Sequence, residues 1–207
     1  MKVLAIVASA RKGKSTDTLV DKAIAGLQSA EGKKVEISKI NLHDYNIKFC
    51  RDCLACRDSK KDAPYVDCIL DDDMKHLFRQ VDESDALIVG TPLHMGTTPG
   101  IMTTFLERIC WAFAKPEQSY LTVHGCPLPR SEKKRNAVII ITNSIVPPVY
   151  RKFCDAATPI IKDVLSGSLN SKTVGDLYAG NLEKKGADYY FNKAFKLGQK
   201  LYETTQN

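Results

Sequence analysis

Four cysteines stand close together in this chain, Cys50-x-x-Cys53-x-x-Cys56 and then Cys68. Thiolates are ligands for soft metal centres, and three of them at two-residue spacing let a short loop wrap a 4Fe-4S cluster, with Cys68 as the fourth ligand. Structural zinc is the competing chemistry, although zinc sites normally pair two separate Cys-x-x-Cys knuckles rather than overlapping them. Cys110, Cys126 and Cys154 are scattered and read as small hydrophobes.

A second constellation opens the chain. The apolar run Val3-Leu4-Ala5-Ile6-Val7-Ala8 gives way to Ser9-Ala10-Arg11-Lys12-Gly13-Lys14-Ser15-Thr16, and apolar residues return with helical spacing at Leu19, Ala23, Ile24 and Leu27. A strand that feeds a helix in this way presents unpaired amides and a positive dipole end to an anion. Ser9, Ser15 and Thr16 add hydroxyl donors, and Arg11, Lys12 and Lys14 add charge, more than capping alone requires. Ala8-x-x-x-x-Gly13-Lys14-Ser15 also fits a nucleotide-binding P-loop loosely, with alanine in place of the first glycine. That chemistry needs a carboxylate at the end of another buried strand to hold Mg²⁺. The candidate strands instead run into Gly90-Thr91-Pro92 and Thr142-Asn143-Ser144, which leaves a nucleotide kinase as the weaker alternative.

Alternating patterns must position these groups. The spacing predicts strand 3–8, helix 16–30, strand 34–40, a cysteine-bearing loop at 46–70, helix 71–83, strand 86–91 and helix 98–113. After a long connection at 112–135 come strand 137–142, helix 148–166, strand 172–179 and helix 184–203. Strands each followed by a helix imply an α/β fold with a five-stranded parallel sheet between two helical layers, one domain over 1–207. The central strands are continuously apolar, as burial on both faces requires. In such a sheet, ligands sit beyond the carboxyl ends of the strands, so the loops Ser9–Thr16, Thr91–Thr98 and Thr142–Pro147 should converge.

Composition sets the class. With 207 residues, 43% hydrophobic and 26% charged, the chain has the make-up of a globular protein, and no apolar stretch is long enough to span a bilayer. Met1-Lys2 leads into a strand rather than a signal peptide, so a cytoplasmic location without membrane attachment is expected. The net charge of +6 suits an anionic ligand. Nucleic acid is not expected, because the cations are spread over many helices and the densest run, Arg130-Ser131-Glu132-Lys133-Lys134-Arg135, lacks aromatic residues for base stacking and reads as a solvated turn.

At these residues the chain resembles the flavodoxin-like NADPH-dependent FMN reductases and, within them, the iron-sulfur flavoproteins. Its first loop is similar to the family's Gly-Ser-Pro-Arg-Lys-Gly-Gly-Asn-Thr loop, and Cys68-Ile69-Leu70-Asp71-Asp72-Asp73-Met74 resembles the family's Cys-x-x-x-Asp-Asp-Met helix start. Asp85 through Gly96 looks like the segment that passes under the isoalloxazine ring; Val174-Gly175-Asp176-Leu177-Tyr178-Ala179-Gly180 and Lys196-Leu197-Gly198 also fit. The chain departs from the pattern at Ala8 and Ala10 for Gly and Pro, at His94 for Tyr, at Thr103 for Lys and at Glu107 for Asp.

The resemblance implies a flavodoxin-like three-layer fold and an FMN-dependent oxidoreductase with NAD(P)H as co-substrate. It puts the FMN phosphate on Ser9, Arg11, Ser15 and Thr16, with Lys14 adding charge, and the ring in a slot made by Pro92, Leu93, His94, Met95 and Gly96. Thr142, Asn143 and Ser144 complete the site. The plain alternatives are a hydrogen-bonded loop histidine for His94, a core contact for Met95 and helix capping for 142–144. No catalytic base is expected, since the cofactor carries the chemistry. For Cys50, Cys53, Cys56 and Cys68 the resemblance implies a cluster beside the flavin, fed by a ferredoxin-like donor, while other relatives keep such cysteines without one; disulfides and free thiols stay open. A flavodoxin-like electron carrier is the rival function, disfavoured by the basic balance. The connection at 112–135, with Trp111, Phe113, Tyr120 and Leu121 about its start, is long enough to suggest a homodimer or homotetramer in which a neighbouring subunit covers the flavin.

Overall fold

Val3, Ala5 and Val7 pack on one face of a sheet while Leu4 and Ile6 pack on the other, which is why this strand reads as an unbroken apolar run. The computed structural model describes residues 1–30, 34–115 and 128–206. In chain order its strands and α-helices are β1 (Lys2–Val7), α1 (Ser15–Gln28), β2 (Glu36–Asn41), α2 (Met74–Glu83), β3 (Ala86–Pro92), α3 (Gly100–Phe113), β4 (Ala114–Lys115), β5 (Leu128–Pro129), β6 (Arg135–Thr142), α4 (Arg151–Cys154), α5 (Ala157–Leu169), β7 (Ser171–Ala179), α6 (Leu182–Lys185) and α7 (Phe191–Gln206).

Five strands form one parallel sheet in the order β2-β1-β3-β6-β7. This is the flavodoxin-like doubly wound order, whose direction reverses between β1 and β3 and opens a crevice beyond their carboxyl ends. Helices α1 and α7 cover one face, through Leu19, Val20, Ala23 and Leu27 against Ala194, Leu197 and Leu201. Helices α2, α3 and α5 cover the other with Leu77, Phe78, Phe105, Ile109, Ile161 and Leu165. The helices of the first pair approach so closely that a Cβ on Gly26 would strike the Phe195 carbonyl, and one on Gly198 the Ala23 carbonyl.

Two expected helices are broken. The span 148–166 divides into a 3-10 turn at Pro148–Tyr150, then α4, then α5. Pro159 lacks the N–H that a continuous helix would direct at residue 155. Asp155 instead caps the new helix, accepting from the Thr158 N–H at 2.9 Å and from its hydroxyl at 2.6 Å, and the Ala156 N–H turns aside to the Gly96 carbonyl at 2.8 Å. The span 184–203 divides at Gly186, whose φ of 70° ends α6 before α7 begins. Helix α2 starts three residues later than expected, because the Asp72 and Asp73 carboxylates and the Asp71 carbonyl accept hydrogen bonds from the loop before it.

The connection at 112–135 closes at its base in a short antiparallel pair, Ala114 with Pro129 and Lys115 with Leu128. Its intervening part, with Tyr120, Leu121 and Cys126, lies outside the described residues. Phe113 is not available to a partner; it is buried, stacked on Tyr65 and edge-on to Phe78. The charge run 130–135 is not simply a solvated turn either. The Arg135 side chain is wholly buried, donating to the carbonyls of Ser84, Leu169 and Asp82, and so closes the ends of α2 and α5. Among the described residues no helix is long and apolar enough to cross a membrane.

Candidate functional site

The ends of β1, β3 and β6 meet at a cleft of about 220 Å³ lined by Arg11, Ser15, Pro92, Leu93, His94, Thr142, Asn143, Ser144, Leu182 and Glu183. The loop after β1 is shaped by its own polar groups. The Asn41 side chain, at the end of β2, donates to the Ser9 carbonyl at 2.8 Å, and the Ser9 hydroxyl accepts from the Arg11 N–H at 3.3 Å. Gly13 takes a φ of 69°, and its N–H donates to Asp17 at 2.6 Å. Helix α1 has Lys14 as its cap with no side-chain hydrogen bond, so the amides of its first turn remain for an anion. Among the described residues the Arg11 side chain makes no hydrogen bond or ion pair, whereas Lys12 is drawn off to Asp44 at 2.5 Å.

The other walls are equally specified. The buried Thr16 and Thr142 hydroxyls bond each other at 2.7 Å, tying α1 to the end of β6. Asn143 folds its own loop, accepting from the N–H groups of Ile145 and Val146 at 3.0 and 2.8 Å. Tyr178 holds that loop from behind, with its hydroxyl on the Val146 carbonyl at 3.4 Å. Burial pushes the Tyr178 phenol up to about 12. Leu182 and Glu183 were missed by sequence reasoning, which considered the ends of β1, β3 and β6 but not that of β7. Their N–H groups donate to the carbonyls of Asn143 and Ser144 at 3.2 and 2.9 Å, so the turn after Gly180 closes the cleft.

Met95 and Gly96 make a tight turn. His94 and Thr97 exchange both backbone hydrogen bonds, at 2.9 and 3.0 Å, and the two residues between have φ of 52° and 80°. This left-handed pair suits Asn-Gly or Gly-Gly, so methionine there is strained. Met95 is fully exposed, which overturns the core-contact alternative. Of the expected residues, the structure brings Arg11, Ser15, Pro92, Leu93, His94, Thr142, Asn143 and Ser144 to the cleft lining. Ser9, Lys14, Thr16, Met95 and Gly96 shape or flank it without lining it.

A second site lies along α3. Cys50, Cys53, Cys56 and Cys68 line one small cavity together with Leu70, Glu107, Arg108 and Trp111. Burial pushes the Cys56 thiol up, and the neighbouring Cys68 and Cys50 sulfurs add to it. All six described cysteines are free thiols, so disulfide pairing within the group is not what this structure contains. Among the described residues no three His, Cys, Asp or Glu side chains are gathered closely enough to hold a single metal ion. The loop is held in an unusual shape, with Asp52 and Leu54 on either side of Cys53 at φ of 49° and 59°.

Long-range hydrogen bonds impose that shape. Asp73 and Asp72 accept from the N–H groups of Asn46 and Lys48 at 2.6 and 2.9 Å, which pins the start of the loop to α2. Arg130 donates to the carbonyls of Cys56, Ser59 and Lys61, which pins its middle. Arg108 and Asp72 form a fully buried bidentate pair, at 2.8 and 3.1 Å, and Arg108 also donates to the Lys48 carbonyl at 2.7 Å. Burial opposes the Arg108 charge, but Asp72 and the nearby Cys68 sulfur outweigh it and raise its pKa. Among the described residues its buried Nε has no hydrogen-bond partner, an omission that costs about 1–3 kcal/mol in a folded protein. Helix α3 joins the two sites: Gly100 follows the cleft loop, and Arg108 lies about 12 Å further along the axis at 1.5 Å per residue.

Comparison with known proteins supplies the context. Residues 1–120 match the family described as NADPH-dependent FMN reductase. An iron-sulfur flavoprotein of Methanosarcina thermophila is 28% identical over 108 residues, 52% of each chain. One from Archaeoglobus fulgidus is 35% identical over 108 residues, 52% of this chain and 48% of that protein. The chain spans about half the length of the curated relatives it matches. An FMN-dependent NADH-azoreductase from Bacillus anthracis, solved in complex with FMN, superposes with a TM-score of 0.66 at 12% identity over all of both chains. An NAD(P)H:quinone oxidoreductase from Methanothermobacter marburgensis gives 0.67 at 14% identity over 96% of this chain and 98% of that one. At such identities these structures establish the shared fold.

Proposed function

The chain belongs to the NADPH-dependent FMN reductase family, and from that premise we propose that it is an FMN-dependent oxidoreductase working between NAD(P)H, or a protein donor, and an acceptor. The observation that carries the reading is the cleft at the sheet's switch point, where an uncapped helix start, an unpaired Arg11 and the Ser15 hydroxyl form an anion cradle next to Pro92, Leu93 and His94. Arg11, Ser15 and the first amides of α1 bind the phosphate, with Ser9 and Thr16 holding the loop in register and Lys14 adding field. Pro92, Leu93 and His94 form the wall for the ring, the strained Met95-Gly96 turn flanks it, and Thr142, Asn143 and Ser144 face it from β6. FMN, when bound, supplies hydride and electron exchange; the protein positions it and limits solvent access.

The cysteine cavity extends the proposal to a 4Fe-4S cluster held by Cys50, Cys53, Cys56 and Cys68, with a ferredoxin-like protein as donor. Three features support it: four free thiols line one cavity, the backbone is strained on both sides of Cys53, and a buried Arg108 Nε has no hydrogen-bond partner among the described residues. A cluster spreads its ligands over several irons, whereas zinc draws four thiolates to one point about 2.3 Å away. The exposed apolar residues Ile145, Val149, Tyr150 and Phe153, on the segment that packs against the Met95-Gly96 turn, support a second copy of the chain covering the cleft as homodimer or homotetramer.

Anaerobic purification followed by visible spectroscopy, iron and sulfide assay and FMN titration tests this. The expected result is one FMN and about four irons per chain, as four-thiolate ligation of the cluster requires, with NAD(P)H turnover in the presence of a small acceptor. Arg11→Ala should weaken FMN binding about 10- to 100-fold, the worth of a charged hydrogen bond of about 1.5–3 kcal/mol. Protein that binds no FMN overturns the flavin reading. FMN-loaded protein without turnover makes it an electron carrier instead.

A further inference from the structure

We infer that Arg108 is a positioning residue for the sulfur group in the cysteine cavity, its Nε–H donating a hydrogen bond to that sulfur and raising the potential at which the group accepts an electron. The inference rests on the cluster reading above. Both outer nitrogens of Arg108 are already engaged, Nη1 with the Lys48 carbonyl and Asp72 and Nη2 with Asp72, so three of its five N–H donors are used. Asp72 is saturated as well, since it also accepts from the N–H groups of Lys48 and Met74 at 2.9 and 3.1 Å. Among the described residues Nε has no hydrogen-bond partner; it is buried on a side chain lining the same cavity as the four sulfurs, and the Cys68 sulfur lies close enough to the guanidinium to raise its pKa. An ion pair buried this completely is a poor stabiliser compared with an apolar pair of equal volume, so stability alone does not account for it. Lysine would carry the same charge toward Asp72 without the two-pronged contact, and only arginine also carries a donor partway along its stem. Hydrogen bonds to cluster sulfur favour the more negative, reduced state, which raises the reduction potential.

The test uses Arg108→Lys in the whole chain, purified anaerobically. Lysine keeps the charge toward Asp72 and removes the Nε–H, so net charge at the cavity is unchanged and a shift in potential reports the hydrogen bond. The expected result is unaltered iron and sulfide content, a reduction equilibrium at least tenfold less favourable, equal to 59 mV for one electron, and altered Fe–S stretching bands in resonance Raman spectra. Should Arg108→Lys not fold, Arg108→Met combined with Asp72→Asn also preserves net charge, removes the donor and carries the same expectation. A loaded variant with the wild-type potential and unchanged Fe–S bands overturns the inference and leaves the cluster standing. Wild-type protein free of iron and sulfide after anaerobic reconstitution overturns the cluster reading itself, and this inference with it.

Discussion

Met95 shows how one residue can carry strain beside a site. It occupies a left-handed position with φ of 52° and is fully exposed, so packing in the isolated chain does not compensate for the strain. Such outliers persist where surrounding contacts over-determine them and are frequent at ligand sites. Met95→Gly should raise the stability of the FMN-free protein by about 1 kcal/mol in denaturant unfolding while weakening FMN retention. A variant no more stable than wild type would show that the turn is relaxed. At this scale the turn after β1 was legible, because Ser9, Arg11, Ser15 and Thr16 lie within a few residues of one another in the chain. Arg130 and Arg135 were not, since their partners lie as far away as Cys56 and Ser84 and the run of charge read as solvated.

Among elements, strands and long helices followed from apolar periodicity, and the breaks followed from side chains that periodicity ignores. Asp155 is the clearest instance. It caps α5 through Thr158 and holds Arg151 at 2.8 Å, and Arg151 in turn reaches Asp176 on β7 at 2.5 Å. The cap therefore fixes both the start of α5 and the segment carrying the exposed residues beside the cleft. Asp155→Ala should cost about 1–2 kcal/mol, the usual worth of an N-cap with its charge partner, read as a lower denaturation midpoint with an unchanged slope. A loss under a few tenths of a kcal/mol would mean that Pro159 alone sets the break. The cysteine loop lies at the opposite extreme of legibility: its spacing predicts a set of sulfur ligands, yet its path is set by hydrogen bonds to Asp72 and Asp73 before α2, from Arg108 on α3 and from Arg130 between β5 and β6, none of which leaves a local pattern.

For the molecule as a whole, four aspartates join elements that are distant in the chain, and this gives stability a defined pH dependence. Asp17 meets Lys39 and the Gly13 N–H, Asp72 meets Arg108 and Lys48, Asp85 meets the Lys2 N–H and Lys133, and Asp176 meets Lys162 and Arg151. For each, burial pushes the carboxyl up, but the cations and N–H donors outweigh it and hold the pKa below its ordinary value of 3.8. The folded state thus binds these protons less readily than the unfolded chain does. Their contribution is fully present above the unfolded pKa of about 4 and is lost as pH falls through the lower folded values. Denaturant unfolding should accordingly show constant carboxylate stabilisation at neutral pH and a steep loss below about pH 4. Asp72→Asn, less stable at neutral pH because it leaves Arg108 buried without its charge partner, should lose less further stability on acidification than wild type. Equal acid slopes in the two proteins would show that Asp72 is not among the groups whose protonation unfolds the chain.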